Sequence, residues 1–173
     1  IGNDGYFKTS GVDASVNWVV PFADVGLGIP GRFRFQTLVS WLDKIDFGDG
    51  FNYSGRTAGG IGGTFPEWKA TTTFAYDSDS FTAQLRWNWQ TDVEDVSFGE
   101  DTAPDVRGLS YFDLSLRKKI GDNFELTGIV QNMFNQKAEK TVAGFFAEGG
   151  TDVAYWNPVI LGRVFTIQAR VKM

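Results

Sequence analysis

The feature that most constrains this chain is a strict two-residue alternation, sustained over roughly 10 residues at a time, the length of a tilted strand that crosses a bilayer. From Phe81 to Thr91, the row Phe81, Ala83, Leu85, Trp87, Trp89 alternates with Thr82, Gln84, Arg86, Asn88, Gln90. Successive side chains of a strand point to opposite faces, so this segment has one apolar face and one polar face. Six other segments divide in the same way. Val12, Ala14, Val16, Trp18 and Val20 oppose Asp13, Ser15 and Asn17 within Val12–Phe22. Phe33, Phe35, Thr37, Val39 and Trp41 oppose Arg32, Arg34, Gln36 and Ser40 within Arg32–Asp43, with Leu38 as an exception on the polar side. Trp68, Ala70, Thr72, Phe74 and Tyr76 oppose Glu67, Lys69, Thr71 and Thr73 within Glu67–Tyr76. Phe112, Leu114 and Leu116 oppose Asp113, Ser115 and Arg117 within Tyr111–Ile120. Phe124, Leu126, Gly128 and Val130 oppose Glu125, Thr127 and Gln131 within Phe124–Asn135, with Ile129 as an exception. Phe165, Ile167, Ala169, Val171 and Met173 oppose Val164, Thr166, Gln168, Arg170 and Lys172 within Arg163–Met173. The expectation is an all-β chain of seven antiparallel strands.

The connections alternate in length. Asp77–Ser80 and Gly121–Asn123 are short, and Ala23–Gly31 is somewhat longer. Residues 44–64, 92–108 and 136–162 form long connections. Loops of that length count against a compact soluble domain. In outer-membrane barrels, short periplasmic turns facing long external loops are the rule. With the long connections placed outside, Trp41, Trp68, Trp87, Trp89, Phe112, Phe134 and Phe165 fall near the outer strand ends. Phe22, Phe33, Phe35, Phe74, Tyr76, Phe81 and Phe124 fall near the inner ends, and Trp18 is less cleanly placed. Two rings of aromatics around an aliphatic band are what the two membrane interfaces favour. From Phe81 to Trp89 the chain climbs roughly 19 Å at ~3.3 Å per step and ~45° tilt, close to the ~25 Å apolar band. A soluble sandwich or ligand-binding barrel also alternates, but it would hide its largest rings mid-strand as readily as at the ends.

Composition removes other functions. The chain has no Cys and no His, which leaves no thiolate or disulfide and no Ser–His catalysis, and takes away the commonest zinc ligand. With no clustered carboxylate pair either, neither an enzyme nor a metal site is expected, and no cofactor is called for. A net charge of -5 argues against nucleic acid, which selects a basic face. No run of about 20 apolar residues offers a transmembrane helix. The glycine-rich stretch Phe47–Gly63 lacks the Gly-Lys-Ser/Thr of a phosphate loop, and its plain reading is a mobile external loop. The polar row carries Arg32, Arg34, Arg86, Arg117, Lys119 and Arg170 against Glu67, Asp113 and Glu125. Buried unpaired charges are costly, so a hydrated lumen or pairing across the interior is required.

Several segments resemble the late barrel of TonB-dependent outer-membrane receptors. These are Gly11-Val12-Asp13 after an Asn- and Gly-rich loop, Pro66 ahead of a strand, and Tyr111-Phe112-Asp113-Leu114-Ser115. To them are added Val130-Gln131-Asn132-Met133-Phe134-Asn135, the turn Phe22–Arg32, and Leu161-Gly162-Arg163 before a final alternating strand. Met133 stands where the family pattern has Leu, and Asn135 where it usually has Asp. Met173 stands where the family usually ends in an aromatic ring, part of the signal read by the barrel-assembly machinery.

The resemblance implies that residues 1–173 are the last seven strands of a 22-stranded barrel, with the N-terminal plug and the TonB-contacting segment encoded upstream. The absence of a signal peptide at Ile1–Gly5 and the odd strand count fit that expectation. It also implies energised uptake of a siderophore, cobalamin, or a glycan or peptide fragment. The partners would be outer-membrane lipid and lipopolysaccharide, the assembly machinery, and TonB through the plug. Candidate ligand contacts on external loops are Phe51, Tyr53, Phe145, Phe146, Tyr155 and Trp156, whose rings offer stacking faces; loop-to-loop packing is the plainer reading of each. The lipid-facing girdle would hold Trp41, Trp68, Trp87, Trp89, Phe33, Phe74, Phe81, Phe124 and Phe165. The alternative is a small self-contained outer-membrane barrel acting as an adhesin or structural protein, with an eighth strand from Ile1–Tyr6.

Overall fold

The structure is a computed structural model describing residues 5–58, 63–100, 105–139 and 158–172. Seven long strands form one antiparallel sheet: β1 (Lys8–Pro21), β2 (Arg32–Asp46), β5 (Trp68–Asp77), β6 (Phe81–Gln90), β8 (Leu109–Ile120), β9 (Phe124–Gln131) and β10 (Val164–Val171). Their spatial order is β1-β2-β5-β6-β8-β9-β10, a meander in which each long strand pairs with the next in the chain. A second, three-stranded sheet joins β3 (Arg56–Ala58), β4 (Gly63–Phe65) and β7 (Glu94–Asp95) in the order β4-β3-β7. No α-helix occurs among the described residues.

The pairing register carries the alternating rows across the whole sheet. One row runs Trp18, Phe35, Phe74, Leu85, Leu114, Val130, Phe165, and the rows two residues to either side keep the same face. A slip of one residue at any pair would send a whole strand's apolar set to the opposite face; no such slip occurs. Leu38 and Ile129 lie on the polar face, opposite Thr71 and Ser115. The one register shift is at Ser10/Gly11, where a Cβ on Gly11 would collide with the Trp41 carbonyl oxygen.

The same register explains Trp18. Beyond the Trp18 row, the β1–β2 hairpin closes three residues on, at Pro21/Arg32, while the β8–β9 hairpin continues six residues beyond Leu114, to Ile120/Phe124. Three residues of slip, roughly 10 Å, over four strand spacings of ~4.8 Å correspond to a strand tilt of about 30°, near the 35–45° of barrel walls. Each row therefore climbs across the sheet. Trp18 lies near the short-connection end and Phe165, in the same row, near the long-connection end.

Among the described residues, the sheet is a single layer whose apolar face is bare. Trp68, Phe74, Trp89, Leu116 and Leu126, all on inner strands, are 37–42% exposed. Monomeric soluble proteins rarely expose so continuous an apolar face, which marks a surface that meets a partner or a membrane. The face's mid-height hydroxyls satisfy one another, Thr37 Oγ1 lying 2.9 Å from Thr72 Oγ1. Rings stack along it: Trp41 on Trp68, Trp87 on Phe112, Phe35 against Phe74, and Tyr76 against Phe81. On the polar face, Arg34 and Arg32 converge on Asp77 at 3.4 and 3.8 Å. The Arg34 Nε and Asp77 Oδ2 atoms are buried without a hydrogen bond, so this is an ion pair of charges rather than of aligned donors. Arg117 donates to Thr82 Oγ1 and lies 4.0 Å from Glu125.

Four details differ from the sequence expectation. β1 begins at Lys8 and β2 continues to Asp46, extending both strands at the long-connection end. β9 stops at Gln131 rather than continuing to Asn135, because Asn132 and Asn135 take left-handed φ values of 50° and 56°, which a strand cannot accommodate. The turn after β1 contains a single 3-10 turn, Phe22–Val25. Finally, the connections 44–64 and 92–108, expected as plain external loops, contribute β3, β4 and β7. Met173, placed by parity on the apolar row, lies outside the described residues.

Candidate functional site

The long-connection end is where the sheet carries folded loops. Asp46, only 1% exposed at the end of β2, organises the first of them. Its Oδ1 accepts the backbone N–H groups of Gly48 and Gly50 at 2.9 and 3.1 Å, and its Oδ2 accepts the Tyr6 hydroxyl at 3.3 Å and lies 3.4 Å from Lys44 Nζ. Asn52 takes the Ile45 and Ser54 N–H groups on its side-chain oxygen. This side-chain scaffold arranges rings around Phe47, with Phe7, Tyr53 and Phe65 at 5.4–5.7 Å.

Of the candidate contacts, Phe51 and Tyr53 belong to this cluster. Their rings meet edge-on at 4.7 Å, and the Arg56 guanidinium covers the Phe51 ring at 4.6 Å. Both are half-buried. Phe145, Phe146, Tyr155 and Trp156 lie outside the described residues. Sequence reasoning passed over Phe7 and Phe47, which are 59% and 41% exposed and the more open rings of the cluster. The signal that could have found them is Asp followed by Gly two residues on, in Asp46-Phe47-Gly48, an Asx-turn pattern that folds a loop instead of freeing it.

Arg56 binds two of the three long connections, 44–64 and 92–108, together. Its guanidinium donates to Glu94 Oε2 (3.0 Å), Glu100 Oε1 (2.9 Å) and the Asn52 carbonyl (2.7 Å), while β3 pairs in parallel with β7. A cavity of about 440 Å³ opens beside Phe65 and Pro66, with Asp13, Ser40 and Lys69 in its wall. A cavity of about 500 Å³ lies at the opposite end, where Lys119, Arg170 and Lys172 are matched by Asp79, Asp122 and Glu125. Among the described residues, no three His, Cys, Asp or Glu side chains converge on a metal-sized site.

The Tyr53 hydroxyl donates to Asp49 Oδ2 at 2.7 Å. Burial, then this bond and the Asp49 charge, push the phenol up to about 12 from 10.0. The same bond, with the Phe51 N–H, holds the Asp49 carboxyl below its ordinary value. A pKa raised on folding means that the folded loop holds its proton more tightly. Stability tied to Tyr53 is therefore complete below pH 10 and is lost as pH rises towards about 12. In ultraviolet titration, the difference between the native protein and Tyr53→Phe is expected to show phenolate forming near pH 12. Asp49→Asn should lower that midpoint without returning it to 10, since burial is the larger cause. A native midpoint at 10 would mean that the Tyr53 hydroxyl is neither buried nor bonded to Asp49.

Taken together, the fold is that of a wall segment of an antiparallel transmembrane-type barrel, with its elaborated loops at one end. A solved structure shares this fold. Over 95% of this chain and 22% of the other, the chain is similar to a mutant ferric enterobactin receptor from Pseudomonas aeruginosa, with 13% identical residues and a TM-score of 0.57. It also aligns with the ferric-catecholate import receptor Fiu of Escherichia coli K12 in its closed form, over 95% of this chain and 25% of that one, at 15% identity and a TM-score of 0.49. No family model and no curated protein matches the chain. The chain spans about a fifth of the length of the enterobactin receptor. At this level of identity the likeness is one of fold.

Proposed function

We propose that residues 1–173 are the C-terminal part of the barrel of a TonB-dependent receptor in the bacterial outer membrane. In this reading the apolar face meets lipid and the polar face lines the lumen. The long connections are external, and the complete protein takes up a scarce nutrient through a plug that TonB moves. The observation that carries this reading is the register: one apolar face runs unbroken over seven strands of membrane-crossing length and is covered by none of the described residues. The fold shared with the enterobactin receptor supports it. The cluster around Phe47, with Phe51 and Tyr53, and the loops holding Phe145, Phe146, Tyr155 and Trp156 supply this chain's part of the ligand vestibule. The nutrient belongs to the siderophore, cobalamin, or glycan and peptide classes.

The test is growth of cells limited for one nutrient at a time, supplied as ferric siderophores, cobalamin, oligosaccharides or peptides. Deleting the gene and inactivating TonB should each abolish use of the same source. Loss of surface attachment on deletion, with every source still used, would replace the receptor by an adhesin.

A further inference from the structure

The three short connections are not alike. Ser78-Asp79-Ser80 and Gly121-Asp122-Asn123 are wholly polar or glycine, as turns in water should be. The connection from β1 to β2 carries Val25, Leu27 and Ile29, which are 56%, 50% and 54% exposed, and a single charge, Asp24. Its shape is fixed. The Phe22 N–H donates to the Gly31 carbonyl at 3.0 Å and the Leu27 N–H to the Phe22 carbonyl at 3.0 Å. At Gly31, φ is 109° and an added Cβ would lie 2.5 Å from the Asp77 carbonyl oxygen, so only glycine fits.

The turn is also tied to one side of the sheet. Phe22 stacks on the Tyr76 ring at 5.7 Å and 15°, and the Tyr76 hydroxyl donates to the Pro30 carbonyl at 2.9 Å. Tyr76 belongs to the apolar row, paired with Phe33 and Ala83. The aliphatic turn is thus anchored to a ring of the apolar face and is continuous with it.

We infer that the turn Phe22–Pro30 is an interfacial membrane anchor, with Val25, Leu27 and Ile29 inserted among the headgroups and upper acyl chains of the periplasmic leaflet. This inference rests on the lipid-facing assignment of the apolar face. Aliphatic side chains on a segment with almost no charge partition to that depth, roughly 5–10 Å into the headgroup and acyl boundary. At that depth the irregular backbone of the turn stays in the hydrated zone, where water can satisfy it, and does not enter the hydrocarbon core. A protein partner would be expected to read charge on the turn, and Asp24 alone offers little.

The chain contains no cysteine, so single-cysteine labelling is direct once any cysteine elsewhere in the full-length protein is replaced by serine. Leu27→Cys, Asp79→Cys and Leu85→Cys would each carry a polarity-sensitive fluorophore in full-length protein folded into phosphatidylcholine vesicles. Leu27 label is expected to emit to the blue of Asp79 label and to lose most of its intensity in lipid brominated close to the headgroup. Asp79 label should respond to aqueous iodide alone. Leu27 label quenched by iodide and untouched by brominated lipid would overturn the anchor. Leu27 label reached by neither quencher would also overturn it, and would point to a protein cover. Leu85 label separates the two levels of the argument: if lipid brominated deep in its chains fails to quench it, the membrane assignment itself falls. If Leu85 is quenched and Leu27 is not, only the anchor falls.

Discussion

Leu85→Arg is expected to destabilise the folded protein in a bilayer by roughly 2–4 kcal/mol, the cost of an arginine on the lipid face near the midplane. Arg86→Gln, one residue along, should change stability by about 0.5 kcal/mol or less, as ordinary surface substitutions do. The contrast follows from the register. Leu85 sits mid-strand between Phe74 and Leu114, in the row that crosses all seven long strands on the apolar face. In the proposed orientation a guanidinium placed there meets no water, and its own row offers it no carboxylate. Arg86 lies between Thr73 and Asp113 on the polar face and is exposed. Its loss leaves Asp113 satisfied, because the Asn132 N–H and Asn88 Nδ2 occupy the two carboxylate oxygens at 2.9 and 3.2 Å. Urea titration of full-length protein folding into liposomes measures both. Equal costs would mean that both faces meet water, and a larger cost at Arg86 would mean that the faces are reversed.

The strands were legible in the sequence for the reason that makes Leu85 sensitive. A sheet with one apolar and one polar face has a period of two, and that period both marks each strand and pins its register. Taken strand by strand, Trp18 falls out of line with the other rings. The stagger between hairpins, which sets the height, exists only once the strands are paired. The small sheet was illegible for a different reason. β3, β4 and β7 have two or three residues each, too few for any period. β3 and β4 form a hairpin, but what brings β7 to β3 is distant in the chain: the Glu94 and Val96 N–H groups donate to the Gly55 and Thr57 carbonyls, and Arg56 reaches Glu94 and Glu100, 38 and 44 residues away. Nothing local announces such a pairing. The aromatic cluster was half legible: rings on a loop signalled contact, but whether a ring's face is open depends on neighbours such as Arg56, which the sequence does not place. The aliphatic turn Val25–Ile29 was visible as residues and similar to a family turn, yet its tie to Tyr76 appears only in the fold.

Asn132→Ala is expected to cost roughly 2–3 kcal/mol, and Asn132→Gly about 1 kcal/mol less than that, because two separable effects meet at this residue. Asn132 is 3% exposed and ends β9 with φ at 50°. Its side chain closes a ring with Gln136, Nδ2 donating to the Gln136 carbonyl at 2.8 Å and Oδ1 accepting the Gln136 N–H at 2.7 Å. Either substitution removes both bonds. Alanine also has to hold a left-handed conformation that asparagine tolerates and glycine adopts freely, so the difference between the two variants isolates the backbone term. The effect should spread to β10. The Asn132 carbonyl accepts the Asn135 N–H, and Asn135 Oδ1 accepts the Arg163 N–H at 3.0 Å, one residue before β10 begins. The Met133 N–H, meanwhile, reaches the Phe112 carbonyl on β8 at 2.7 Å. The turn therefore fixes where β9 stops and where β10 starts. Hydrogen exchange of the full-length protein should show faster exchange over Val164–Val171 in Asn132→Ala, alongside a lower urea midpoint with unchanged slope. Equal costs for alanine and glycine would show that the left-handed backbone is not maintained. A midpoint loss without faster exchange in β10 would confine the role of Asn132 to its bonds with Gln136.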